Sequence, residues 1–460
     1  MNILKEILSF ITDVLSQPAI LLGIVSCVGL VAMKEKWYKV LTGTLGPILG
    51  YLMLGAGADF IVANLNPLGE MIQAGFNITG VVPNNEAITA VAQNILGVET
   101  MSILAAGLVF NLVIARFTKY KYVFLTGHHS FFMACLLSAV LGAIGFSGVS
   151  LILVGGFILG AWSSISPAIG QNFTLKVTDG DDVAMGHFGS IGYYISALVG
   201  KYVGNPDDST EKLEIPEQWG FLRNTTISTG LTMIVFYLIA AIAAGPTFVS
   251  TLSNGMNPYL FAIMTGLKFA VGVTIVYSGV RMILSDLIPA FQGIGTKIIP
   301  NAVPAVDCAV FFTYAQTAVI IGFISSFIGG LIGMFALGLV GGVLIIPGLV
   351  PHFFCGATAG IYGNATGGKR GAIIGSFVNG LLLAFLPALL LPVLGSLGFA
   401  NATFGDTDFG VLGIIFGNIG NIFGSTGIYA ACFILLLVLI VPNFLKTKSA
   451  VINNDLTPYE

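Results

Sequence analysis

Apolar residues do not alternate with polar ones along this chain; they gather in long runs separated by short polar stretches. A hydrocarbon slab takes roughly 20 apolar residues per helix. Runs of that size lie at 19–33, 40–64, 100–116, 121–146, 148–172, 226–245, 262–285, 324–346, 349–367, 371–394 and 426–444. Four further segments, 66–98, 183–204, 287–322 and 405–423, are moderately apolar but carry Pro, Asn, Gly and charge. Lipid would leave such backbone unpaired, whereas a protein-lined cavity satisfies it, so they are expected to be re-entrant or broken elements. The pattern predicts an all-α polytopic membrane protein with about 11 transmembrane helices.

Composition agrees: 56% of the 460 residues are hydrophobic and 8% charged, against about 25% charged in an ordinary soluble chain. Sixty glycines would weaken soluble helices, but between membrane helices they permit close backbone approach. The net charge of −3 and the lack of a basic stripe give no reason to expect nucleic acid. The five cysteines (Cys27, Cys135, Cys308, Cys355, Cys432) have neither zinc nor disulfide spacing and read as small apolar packers. Within residues 1–17, Ile3, Leu4, Ile7, Leu8, Ile11 and Leu15 recur at helical spacing with no small-residue cleavage site after them. That suits an interfacial helix better than a cleaved signal.

Short positively charged loops stay in the cytoplasm. Lys34, Lys36 and Lys39, then Arg116, Lys119 and Lys121, then Lys369 and Arg370, then Lys446 and Lys448 all fall inside if the N-terminus is outside and the four broken segments do not cross. The C-terminus is then cytoplasmic, and so is a polar loop at 205–224, read either as a tether between halves or as a docking surface for a cytoplasmic partner.

A weak internal repeat runs through the chain. Gly57, Asp59 and Pro67 recur as Gly279, Arg281 and Pro289, each 222 positions later. Val82-Pro83 recurs as Val303-Pro304, 221 later, and Phe131-Phe132 as Phe353-Phe354, 222 later. Five spans separate equivalent points, and an odd number inverts the second copy. The expected organisation is a 5+5 inverted repeat plus one span: 1–225 as the first repeat, 226–425 as the second, and 426–460 as the last span and tail. Inverted repeats with interrupted helices are the architecture of secondary transporters, with substrate at the midplane beside the unwound segments.

Ionisable groups inside a membrane are costly, so each is a candidate site residue. Glu86 and Asp307 occupy equivalent places after a proline in broken segments, and either binds several solute hydroxyls or caps the following helix. His128 and His129 lie in Leu125-Thr126-Gly127-His128-His129-Ser130, at the start of a span, and His187 lies in Met185-Gly186-His187-Phe188-Gly189, in a broken segment. Imidazole both donates and accepts, which suits a polyol. Adjacent histidines do not share a helix face, and the only neighbouring carboxylates are Asp181 and Asp182, so no metal is expected. His352 reads as a packed core histidine. Thr178-Asp179-Gly180-Asp181-Asp182 reads as an acidic helix start, and Asn418 and Asn421 as amides completing a polar lining.

Leu125-Thr126-Gly127-His128, Thr178-Asp179-Gly180 leading to Gly186-His187, Ala305-Val306-Asp307-Cys308-Ala309 and Leu344-Ile345-Ile346-Pro347-Gly348 together resemble the ascorbate-type (Ula/SgaT) EIIC membrane subunit of the bacterial phosphoenolpyruvate-dependent phosphotransferase system, over nearly the whole chain. The resemblance implies a homodimer in the inner membrane, divided into a scaffold and a mobile elevator-like core. It also implies a cytoplasmic EIIB partner, charged in turn by EIIA, whose phosphocysteine phosphorylates the solute. It carries histidine and aspartate ligands onto His128, His187 and Asp307. Ascorbate-binding members of the family have glutamine at the places of Phe188 and Phe132 and an aromatic at that of Glu86, so Phe132 and Phe188 join the expected substrate contacts.

The chain has no phosphocysteine loop, so it is expected to be a transport component that carries no phosphoryl group of its own and needs no cofactor. The expected function is binding and translocation of L-ascorbate or a related sugar or polyol. The alternative is an ion-coupled secondary transporter using Glu86 and Asp307 as proton or cation sites.

Overall fold

A computed structural model describes residues 18–76, 80–180, 183–212, 224–299, 302–312, 314–394 and 402–444. The expected interfacial helix at 1–17, Asp181, Asp182 and the loop from 213 to 223 lie outside the described residues, as does the side chain of Glu86. The chain is overwhelmingly helical, as its long apolar runs dictate, because a backbone in lipid must satisfy its own hydrogen bonds.

The first part of the chain contains α1 (Pro18–Ala32), α2 (Trp37–Phe76), β1 (Gly80–Pro83), α3 (Asn85–Phe117), β2 (Tyr122–Phe124), α4 (Gly127–Ile144), α5 (Gly148–Val177), β3 (Ala184–Met185) and α6 (Ser190–Val203). The rest contains α7 (Thr225–Ala244), α8 (Pro246–Leu252), α9 (Pro258–Ile298), β4 (Val303–Val306), α10 (Cys308–Phe311), α11 (Gln316–Leu339), β5 (Leu344–Ile345), α12 (Leu349–Leu390), β6 (Ala402–Thr403) and α13 (Thr407–Phe444). Among the described residues, seven helices are long and apolar enough to cross a membrane, and eight if the bent pair α7–α8 is one span. A helix covers most of each of the eleven apolar runs, but run 121–146 opens on β2 and run 324–346 ends on β5, and α1 has only 15 residues. The runs 349–367 and 371–394 fall on one helix, α12, broken at Gly368, and α13 is broken likewise at Gly424. Gly368 has φ 58°, and a Cβ there would also strike the backbone of Asn205 and Asp208, so glycine is required on two counts.

The helices pack in two groups. One holds α1, α2, α7 and α9, with α2 lying along α9 and α7; the other holds α3 to α6 and α11 to α13, with α12 packed between α11 and α6. The second group carries the short strands, which form two parallel three-stranded sheets of order β5-β1-β6 and β2-β4-β3. In each, the central strand comes from the opposite end of the chain to its neighbours. Register places Phe124 and Ala184 both opposite Ala305. All three strands of the second sheet therefore end at one edge, and the residues after them are brought together.

Two expectations are corrected. Thr178 to Gly180 closes α5 rather than opening a helix: Thr178 N–H donates to Thr174 O and Gly180 N–H to Leu175 O, with Asp179 and Gly180 at φ 57° and 97°, the left-handed turn that ends helices. Asn418 and Asn421 are exposed on α13, and Asn418 Nδ2 donates to Ile414 O of its own helix, so neither lines the polar centre.

The described part of the polar loop, 205–212, is tied down. Glu211 accepts from the N–H groups of Thr317 and Ala318 at the start of α11, Thr210 N–H donates to Asn364 Oδ1, and Lys369 pairs with Asp208 at 2.9 Å.

Candidate solute-binding site

His128 and His129 follow β2 in the first turn of α4, Asp307 follows β4 ahead of α10, and His187 and Phe188 follow β3 ahead of α6. Parallel pairing delivers them to one place. His128 Nε2 lies 3.3 Å from Asp307 Oδ2, and the rings of His129 and His187 are 3.6 Å apart between centroids. Gly186 makes this closeness possible: its N–H donates to Val306 O at 2.7 Å, and a Cβ would strike the carbonyl of Ala305.

Backbone donors set the proton positions. Phe188 N–H donates to His129 Nδ1 at 3.2 Å, and Gly189 N–H donates to His187 Nδ1 at 3.1 Å. A nitrogen that accepts carries no proton, so in each neutral ring the proton sits on Nε2. The Tyr193 hydroxyl lies 2.7 Å from the same His187 Nδ1 and 3.4 Å from Cys355 Sγ. Cys355 Sγ in turn donates to Asp406 Oδ1 at 3.2 Å, and Asp406 Oδ2 is 3.7 Å from His129 Nδ1. The centre thus holds two Nε2–H donors from His129 and His187 beside carboxylate acceptors Asp307 and Asp406.

His129, His187 and Asp406, and likewise His187, Asp307 and Cys308, place one ligand atom each within 4.8 Å of one another. A metal-bound histidine donates its other ring N–H to a second group. Here the Nδ1 atoms of His129 and His187 face backbone donors instead, so the rings are arranged as hydrogen-bond donors through Nε2 and fit a metal poorly.

Phe132 and Phe188 are buried against the histidines. Phe132 meets both His128 and His129 edge-on, with centroids 5.8 Å apart. Phe188 stacks on Phe124 at 4.5 Å, and Phe409 stacks on His129. His352 lies elsewhere, with Nδ1 2.9 Å from Ser326 Oγ, which agrees with a packed core histidine. Asp406 and Asp408 escaped the sequence reading.

Comparison with known proteins decides the family. The family model for the sugar-specific permease component of the PTS system matches residues 13–408. The chain belongs to that family. The permease is a multi-pass membrane protein, in agreement with its apolar helices. It is 26% identical over 431 residues to a Mycoplasma pneumoniae protein described as the ascorbate-specific PTS system EIIC component. That alignment covers 81% of this chain and 64% of the relative, so the permease spans less than two thirds of the relative's length.

Proposed function

We propose that this permease binds L-ascorbate or a related sugar or polyol at the His128, His129, His187, Asp307 and Asp406 centre, and translocates it for phosphorylation by a cytoplasmic EIIB protein. The observation that carries the reading is the pairing of two Nε2–H donors with Asp307 at the common edge of three parallel strands and with Asp406, which follows β6 of the other sheet and lies beside His129. Hydroxyls both donate and accept, so a polyhydroxy solute can satisfy both kinds of group. In the transfer step the P–S bond of the EIIB phosphocysteine breaks and a P–O bond to a solute hydroxyl forms. The thiolate leaves, and the hydroxyl proton passes to a nearby acceptor. Glu86 belongs to the same proposal through its position after β1.

The proposed architecture is an inverted repeat in which β2, β4 and β3 correspond to β5, β1 and β6. The two sheets support it, since each has a central strand followed by an acidic residue and flanking strands from the other half. The helix group around α2, α7 and α9 would act as scaffold of a homodimer, and the group around α12 as the moving core. A small apolar cavity of about 10 Å³ lies between them, bordered by Leu68, Met233 and Phe269 on one side and Pro83, Pro347 and Val350 on the other. Apolar surfaces with few directional contacts suit sliding. The N-terminus is proposed outside and the C-terminus in the cytoplasm.

The test is uptake into proteoliposomes holding the purified permease, with and without phosphorylated EIIB. Product recovered as a phosphate ester, and only with the donor, supports the reading. Accumulation of unmodified solute driven by an ion gradient would overturn it in favour of an ion-coupled transporter.

A further inference from the structure

We propose that Asp408 is a positioning residue that locks His187 and Asp406 into one rigid unit. This rests on the reading that those two residues contact the solute.

Asp408 lies in the first turn of α13 and is 0% exposed. Its Oδ1 accepts from Ile191 N–H at 2.9 Å and the Thr407 hydroxyl at 3.3 Å. Its Oδ2 accepts from the Ser190 hydroxyl at 2.7 Å and Trp162 Nε1–H at 3.0 Å. The backbone joins from the other direction: Asp408 N–H donates to Phe188 O at 2.9 Å, and Gly192 N–H donates to Thr407 Oγ1 at 3.0 Å. One carboxylate therefore fastens the N-termini of α6 and α13 to each other and both to α5. A buried carboxylate is tolerated only when donors surround it, and the open N–H groups of a helix start are among the best.

Site residues flank this joint on both sides. Asp406 is two residues before Asp408. His187 is three before Ser190, and its ring is held by Gly189 N–H, the residue next to the joint. A shift of α6 against α13 would move His187 away from Asp406 and His129. Asp408 reaches the solute only through these neighbours.

The chemistry provides a sharp test. In Asp408→Asn the amide oxygen can keep Ile191 N–H, but the amide nitrogen then faces Trp162 Nε1–H, donor against donor. Trp162→Phe removes that conflict. Full-length permease variants in nanodiscs are titrated with L-ascorbate, alongside thermal unfolding and ¹⁵N NMR of labelled histidine rings. Asp408→Asn is expected to weaken binding about tenfold, as loss of hydrogen bonding to a charged group implies, and to shift the His187 ring signals. The Trp162→Phe/Asp408→Asn double variant recovers most of both. Ser190→Ala, which leaves the charge in place, is expected to weaken binding about fivefold and serves where the amide variant fails to fold. Wild-type affinity and unchanged His187 signals in Asp408→Asn, or in Ser190→Ala where that variant stands in, would overturn the proposal, as would failure of the double variant to recover. If the wild-type permease itself does not bind L-ascorbate, the substrate reading falls, and the His187 ring signals alone decide the role of Asp408.

Discussion

The Nε2 atom of His128 lies 3.3 Å from Oδ2 of Asp307, although α4 and β4 come from opposite halves of the chain. The contact exists because β2 and β4 run parallel in register; Asp307 comes directly after β4, and His128 comes in the first turn of the helix that follows β2. Asp307→Asn keeps the shape and removes the charge. Hydrogen bonds to charged groups contribute about 1.5–3 kcal/mol, so solute affinity should fall roughly ten- to hundredfold, with the amount of protein in membranes unchanged. Calorimetric titration of the purified variant checks this, and unaltered affinity would remove Asp307 from the site.

His187→Ala removes an Nε2–H donor and leaves the Gly189 N–H and the Tyr193 hydroxyl without their shared acceptor. Binding should be lost, and the unfolding temperature should drop by a few degrees, as expected for stranding buried polar groups at about 1–3 kcal/mol. Equal affinity for a polyol panel before and after the change would show that His187 only packs.

Phe188→Gln restores the residue type that the resemblance assigns to ascorbate binders, yet Phe188 is fully buried against Phe124 and Phe409. An amide there without partners costs about 1–3 kcal/mol. The expected result is a less thermostable protein without gain in L-ascorbate affinity, read by a thermal-shift assay. A stable variant with tighter binding would show that the aromatic wall tunes specificity.

Gly186→Ala should separate β3 from β4, because the added Cβ meets the Ala305 carbonyl. Overpacking of this kind costs about 1–3 kcal/mol. Solute affinity should fall more than for Gly142→Ala, a change near the end of α4 where a Cβ meets no atom within 4 Å. Parallel titrations of both variants provide the comparison.

Glu211→Ala removes the side chain that caps α11. Loss of a cap costs about 1 kcal/mol, so stability should fall slightly while phosphorylation by EIIB proceeds. A large loss of EIIB-dependent phosphorylation at normal stability would mark the 205–212 segment as part of the docking surface rather than a tether.

Hydropathy depends on local composition, and for that reason the apolar runs and the broken segments between them were legible without a structure. His128, His187 and Asp307 stood out as candidates in the same way, since ionisable groups are conspicuous against an apolar background. Three features were not legible. The tautomers of His129 and His187 depend on which backbone N–H meets each ring. The burial of Phe188 depends on packing against Phe124 and Phe409, and that of Phe132 on packing against His128, His129 and Phe131. Asp406 and Asp408 were passed over, and only tertiary contacts distinguish them: Asp406 by His129 and Cys355, Asp408 by its neighbours in α5 and α6.

By itself the sequence determined a chain of membrane helices interrupted by polar segments, because solvation in lipid is settled residue by residue along the chain. The tertiary structure decided which polar segments share one centre. That choice is made by parallel strand register and by the meeting of two helix N-termini at Asp408, both of which join residues distant in sequence.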